Sequence, residues 1–324
     1  MKVFVVGGSG ALGRRVTRLL VEAGHDVRAT ARTEGARADI RALGAEPTHV
    51  DIYGAEDLGR AVVGQDAVVR LTTKIPQLTR MRRATAWRET GRLRNNSARK
   101  LVDACIASGV GTYVHESIAF IYADGGAAWL DEEAPVDVDT AIPLRDALSG
   151  ESHAHRFIEH GGRGIVLRYA GFYAADSLQS IAMAGMARRQ RMAIIGRSAN
   201  YFSSIHTDDA AAATVASLAA PAGVYNVADD EPVSLREYME AMARAADAPA
   251  LPTYPRLIGP LALGITWRYL RRSLRVSARR LRDTTGWRPV FSNARDGWRR
   301  IGEEWAREEV LEARAPHRFG GMVR

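Results

Sequence analysis

Near the start of the chain, Gly7-Gly8-Ser9-Gly10-Ala11-Leu12-Gly13 has the spacing of a turn that brings backbone close to a phosphate. Gly7 permits a tight turn, Gly10 lets backbone approach a pyrophosphate, and Gly13 allows a helix to pack closely on a strand. Such chemistry requires a strand before the turn and a helix after it. Val3-Phe4-Val5-Val6 supplies the unbroken apolar run of a buried parallel strand, and Val16, Leu19, Leu20 and Ala23 recur at helical spacing on one face. The start of that helix offers free N–H groups and the positive end of its dipole to an anion. Gly7, Ser9, Gly10, Ala11, Leu12 and Gly13 are therefore the expected contacts of a dinucleotide.

The second strand, Asp26–Arg32, ends in Ala31-Arg32. An acidic residue there would bond both ribose hydroxyls of NAD, whereas Ala31-Arg32 leaves room and a guanidinium for the 2′-phosphate of NADP, the cofactor expected here. Asp51 and Ile52, just past the next strand, are placed for the adenine. Leu71, Thr72 and Thr73 close the fourth strand, Asp66–Leu71, at the sheet end where such folds bind ligands. A long helix over Thr85–Gly109 and a fifth strand over Thr112–Ser117 continue the alternation, which predicts an α/β fold with a doubly wound parallel sheet.

From Ile121 the texture loosens around Gly125-Gly126, Pro135 and Pro143, as over a pocket, before Gly164–Tyr169 returns to a buried strand. Asp176–Ser203, with Arg188, Arg189, Arg191 and Arg197, is suited to a lid. Ser204–Leu218 and the strand Gly223–Val227 rejoin the core, and Ser234 with Glu237 has capping-box spacing for a helix to Ala246. The expected division is residues 1–175, with 204–228 returning, as the nucleotide-binding domain. Residues 176–203 and 229–324 make a smaller, mostly helical substrate lobe.

With 324 residues, 46% of them hydrophobic, the chain can bury a large core. No apolar stretch reaches membrane-spanning length, and Leu257–Leu270 is interrupted by Pro260 and Arg268. The N-terminus runs straight into a strand, and the one cysteine, Cys105, sits at core spacing in a helix, so a soluble protein of the reducing cytoplasm is expected. Net charge is +8, with only Lys2, Lys74 and Lys100 as lysines; the arginine clusters lack interleaved aromatics, so no nucleic-acid partner is expected. His153, His155 and His160 lie near Glu151 and Glu159 without a third ligand at a recognisable spacing, so no metal is expected. A homodimer through Thr85–Gly109 and Glu151–His160 stays open.

Taken together, the glycine turn, His115-Glu116-Ser117-Ile118-Ala119-Phe120-Ile121-Tyr122, Leu167-Arg168-Tyr169-Ala170-Gly171-Phe172-Tyr173, Ile205-His206-Thr207-Asp208-Asp209-Ala210, Tyr225–Pro232 and Thr285-Gly286-Trp287-Arg288-Pro289 resemble the extended short-chain dehydrogenase/reductases, the superfamily of nucleotide-sugar epimerases and related reductases. The resemblance spans nearly the whole chain and implies a Rossmann fold. In that family a tyrosine and a lysine four residues apart donate the proton and position the nicotinamide ribose, and a strand-end serine polarises the carbonyl. Here no lysine follows Lys100 and no tyrosine lies between Tyr122 and Tyr169. Matching Tyr122 to the family's strand-end tyrosine puts Ile118 at the serine position and Ser117 one residue early. The family's helix asparagine falls near Arg94 or Asn95. Tyr169 replaces a proline, which with Phe172 places it beside the nicotinamide.

Hydride transfer belongs to the cofactor, and a positioned general acid contributes about 10²–10⁴-fold, so its loss slows a reductase without forbidding one. Ser117, Tyr122 and Tyr173 are the candidate catalytic residues, with Tyr169, Thr72, Thr73 and His206 as further candidates. The expected activity is NADPH-dependent reduction of a ketone on a bulky aromatic polyketide, as in the atypical reductases of polyketide antibiotic pathways. The substrate's own phenol supplies the proton. The competing readings are a nucleotide-sugar epimerase or dehydratase, with Arg188, Arg189 or Arg197 on the diphosphate, and a non-catalytic NADP-binding redox sensor.

Overall fold

A computed structural model describes residues 1–138, 142–196 and 199–308. Seven parallel strands form the central sheet: β1 (Lys2–Val6), β2 (Asp26–Thr30), β3 (Glu46–Thr48), β4 (Ala67–Arg70), β5 (Thr112–Ile118), β6 (Arg163–Tyr169) and β7 (Gly223–Val227). Their spatial order is β7-β6-β5-β4-β1-β2-β3. The order reverses between β1 and β4, and ligands of such sheets bind at that switch point, outside the carboxyl ends of the strands.

Helices cover both faces, as an all-parallel sheet requires. One side carries α1 (Ala11–Glu22), α2 (Glu34–Ala42), α8 (Thr207–Ser217) and α10 (Arg279–Thr285), packed with Val5, Val69, Val114 and Leu167. The opposite side carries α3 (Ala55–Val62), α4 (Arg88–Arg92), α5 (Ala98–Ala107) and α6 (Ile142–Glu159), packed with Phe4, Val68, Tyr113 and Val166. The single long helix expected over 85–109 is divided: α4 and α5 are joined by a π-helical turn at Leu93–Ser97. Cys105 is buried there as a core residue, and burial raises its thiol pKa.

A second apolar cluster joins α7 (Leu178–Arg188), α9 (Leu235–Ala245) and α11 (Ala294–Glu308) through Ala184, Tyr238, Met242, Trp298 and Trp305. Ser234 caps α9 with the full reciprocal box, its hydroxyl accepting from Glu237 N–H at 3.1 Å while Glu237 accepts from Ser234 N–H at 2.9 Å. Asp176, at the root of the expected lid, is anchored to α1 through ion pairs with Arg14 and Arg15. Arg197 lies outside the described residues, as does the end of the expected substrate lobe beyond Glu308. No helix among the described residues is long and apolar enough to cross a membrane.

Candidate functional site

The glycine turn forms a cradle that side chains would fill. Gly7 has φ +99°, and a Cβ on it would stand 2.8 Å from the Leu71 carbonyl oxygen. Its N–H donates to Thr30 Oγ1 at 2.7 Å, and Gly10 N–H donates to the Gly7 carbonyl at 3.0 Å. Gly10 caps α1 without a side chain, and the first turn carries no acidic residue. Ser9, Gly10 and Ala11 are exposed there, whereas Leu12 and Gly13 turn into the core. Open N–H groups at a positive helix end beside a site with no room for a Cβ fit a pyrophosphate.

On the β2–β3 side, Arg32 is exposed and makes no ion pair among the described residues. Its acidic neighbour Glu34 is occupied by Arg37 and Arg41, which hold that carboxylate below its ordinary pKa. Asp51 is exposed, its carboxylate accepting from Tyr53 N–H at 2.9 Å, with Ile52 half-buried beside it.

The β4–β5 side departs from expectation. Ser117 donates its hydroxyl to Glu151 of α6; Arg168 grips the same carboxylate through two bonds of 3.0 and 2.8 Å. Arg168 also donates to the Tyr122 hydroxyl at 3.0 Å, and that hydroxyl donates to Asn226 Oδ1 at 2.8 Å. All five side chains are buried, and burial pushes the Tyr122 phenol up to about 12. Tyr173 is buried as well, stacked on Trp298 at 5.4 Å, with its hydroxyl 3.4 Å from Asp229. The hydroxyls of Ser117, Tyr122 and Tyr173, the candidate catalytic residues, thus each have a partner inside the protein. Strand alternation is the reason for Ser117, since Tyr113, His115 and Ser117 all face α6.

Tyr169 is engaged in the same way. Its hydroxyl lies 2.7 Å from Thr214 Oγ1 on α8, inside the core, and its ring packs on half-buried Phe172 at 5.2 Å. His206 caps α8 by accepting from Asp208 N–H at 3.3 Å. Arg188 donates its Nε–H to the Ala246 carbonyl. Leu71 is buried against the glycine turn, while Thr72 donates to the Val6 carbonyl at 3.3 Å and Thr73 keeps a buried Oγ1 without a partner.

Where the resemblance would put the acid–base pair, α6 reads Ile-Pro-Leu-Arg-Asp-Ala-Leu-Ser-Gly-Glu-Ser-His-Ala-His-Arg-Phe-Ile-Glu, with neither tyrosine nor lysine. Leu144 and Ala147 instead pack with Ile121, Tyr269 and Ile118. Three buried charged residues stand nearby, none of them among the expected catalytic or cofactor-binding residues. Arg70 donates to the Leu93 carbonyl at 2.7 Å, from the π-helical turn, and Arg94 donates to the Pro143 carbonyl at 3.1 Å. Glu116 is 4% exposed and its Oε2 has no partner. Burial raises its carboxyl pKa, with Arg94 and Arg70 drawing it back. The signal was present in Thr112–Ile118, where glutamate stands at an inward position of an otherwise core strand.

A dinucleotide cradle at the switch point of this sheet defines an NAD(P)-binding Rossmann protein. The chain belongs to the extended short-chain dehydrogenase/reductase family, the epimerase–dehydratase group. Residues 7–148 match the NAD(P)H-binding family model. The chain is 31% identical to the 3-diazoavenalumate denitrifying reductase of a Streptomyces species over 92% of its own length and 99% of that protein. It is 26% identical to the 2-alkyl-3-oxoalkanoate reductase of Stenotrophomonas maltophilia over 77% of each chain. Among solved structures, a human epimerase family protein with NADPH superposes with a TM-score of 0.77 at 22% identity, covering 94% of this chain and 99% of the other.

Proposed function

We propose that this protein is an NADPH-dependent ketoreductase that delivers hydride to a ketone on a bulky aromatic polyketide of the angucyclinone type. The alkoxide takes its proton from a phenol on the substrate beside the carbonyl. One observation carries this reading: a complete dinucleotide cradle stands beside an α6 that offers neither tyrosine nor lysine. Such a site can orient nicotinamide against an acceptor carbon, and a substrate with its own acid needs only that orientation. Unpaired Arg32 supports NADPH over NADH. Relatives named as reductases support hydride transfer rather than epimerisation, which needs repeated proton transfers at the sugar.

The Streptomyces relative, matched along almost its whole length, favours a second reading: reduction of an aryl diazonium group. Hydride adding to the terminal nitrogen gives an aryl diazene, Ar–N=N–H; its C–N bond then breaks, the hydrogen goes to carbon, and N₂ leaves. The balance requires no general acid, which suits this site equally. NADPH and NADH oxidation across aromatic ketones with and without an adjacent phenol, and an aryl diazonium acid, separates the readings. Turnover confined to phenol-flanked ketones supports the first; N₂ release supports the second. Tight NADPH binding without turnover on any acceptor would sink both and leave a redox sensor.

A further inference from the structure

We propose that Glu116, with Thr73, holds the nicotinamide riboside of the bound dinucleotide, taking the positioning part that the absent lysine leaves vacant. This rests on NAD(P)H binding, and not on which acceptor is reduced.

Sheet register places Glu116. Val6 pairs with Arg70, Arg70 with His115, and Glu116 with Leu167. One step further along, Gly7, Leu71 and Glu116 stand in a single row across β1, β4 and β5. Alternation puts Glu116 on the same side as Val114, which packs with Val5, Val69 and Val16 of α1. Ser117 points the other way, to Glu151 of α6. Glu116 is therefore in the row of the phosphate-binding turn and on the side from which α1 approaches.

A dinucleotide with its pyrophosphate at the start of α1 lays one nucleoside over β2 and β3 and the other over β4 and β5. Around the β4–β5 end, the buried polar atoms without partners are Thr73 Oγ1 and Glu116 Oε2, together with Arg70 Nε and Nη1, His115 Nε2 and Asn95 Oδ1 toward α6. Buried polar groups are normally satisfied, and the exceptions call for a ligand or water. A ribose diol and a carboxamide present the mixture of donors and acceptors that a carboxyl and a hydroxyl can meet. The row also explains why a strand otherwise built for a core carries a glutamate there.

The test compares two probes by calorimetric titration of the purified protein: NADPH, and 2′,5′-ADP, which keeps the 2′-phosphate but lacks the nicotinamide riboside. Glu116→Ala and Thr73→Val are each expected to weaken NADPH about tenfold, the scale of one lost hydrogen bond to a buried polar group, and to leave 2′,5′-ADP unchanged. Glu116→Gln, close in shape, guards against a folding defect and is expected to bind NADPH between wild type and the alanine variant. Equal weakening of both probes would overturn the proposal by showing a general loss of the fold. Unchanged NADPH affinity would overturn it by leaving the orphaned atoms to water. Neither readout involves turnover, so failure of the ketoreductase reading would leave this result standing.

Discussion

Gly13 lies so close beneath Gly7 that a Cβ on Gly13 would stand 2.0 Å from the Gly7 carbonyl oxygen. Helix α1 can therefore approach the turn this closely only while Gly13 lacks a side chain. Gly13→Ala must push α1 away from the turn, and overpacking of this kind costs about 1–3 kcal/mol. We expect a lower unfolding midpoint in urea and NADPH affinity reduced at least tenfold, because the first-turn N–H groups move with the helix. Gly59 is the control: it lies within α3, and a Cβ there meets nothing within 4 Å. Gly59→Ala should stabilise by about 0.5–1 kcal/mol, the propensity difference. A Gly13→Ala protein as stable and as tight for NADPH as wild type would refute the close-packing account.

Arg32 carries the cofactor preference. Its guanidinium is exposed, while Glu34 is already shared by Arg37 and Arg41. A hydrogen bond to a charged group contributes about 1.5–3 kcal/mol, so Arg32→Ala should weaken NADPH roughly 10- to 150-fold. NADH, without the 2′-phosphate, should bind unchanged. Parallel titrations decide it, and equal losses for both cofactors would remove Arg32 from the phosphate site.

The sequence announced the frame of the fold because its signals are local. An apolar run, a glycine turn and a helical stripe each act within a dozen residues, and six of the seven sheet strands lie where such runs were read; β3, Glu46–Thr48, has no apolar run and lies ahead of the stretch read from Thr48 to Asp51. The unmade acid–base pair was legible too, since absence of lysine after Lys100 needs no coordinates. What the chain concealed was direction. Ser117 and Glu116 are neighbours, and nothing short of the strand register tells which faces α6 and which faces the turn. Tyr122 and Tyr173 looked available because their partners, Asn226 and Trp298, come from about a hundred residues further on. The division of the long helix falls at Leu93–Ser97, which itself holds neither glycine nor proline; Gly91, two residues earlier, sits inside α4.

The chain Ser117–Glu151–Arg168–Tyr122 predicts structural rather than catalytic loss. Glu151 and Arg168 form a buried pair with side chains 2% and 8% exposed, so removing one partner strands a charge in the core. Glu151→Ala should cost about 3–5 kcal/mol, which urea unfolding would register. Ser117→Ala removes one bond to the same carboxylate, costing about 1.5–3 kcal/mol, and should leave turnover per folded molecule near wild type. Stability unchanged with turnover abolished in Ser117→Ala would return that hydroxyl to the chemistry.

Asp229 sets a pH dependence of opposite sign to that of an ordinary surface carboxylate. It is 2% exposed, accepts from Ser204 Oγ at 2.9 Å, and keeps Oδ1 without a partner. Burial raises its pKa well above the ordinary 3.8, with the Ser204 bond lowering it and Asp209 raising it further. Between 3.8 and the raised folded value, the native protein holds a proton that the unfolded chain has released. More protons bound in the native state means that unfolding free energy falls as pH rises through that window. Asp229→Asn, which needs no proton to be neutral, should lose this component. Urea unfolding of both proteins from acid to neutral pH should show wild type losing stability relative to the variant as pH rises; parallel curves would show that Asp229 is ionised in the folded protein and that its hydrogen bonds, from Ser204 and Tyr173 among others, compensate its burial.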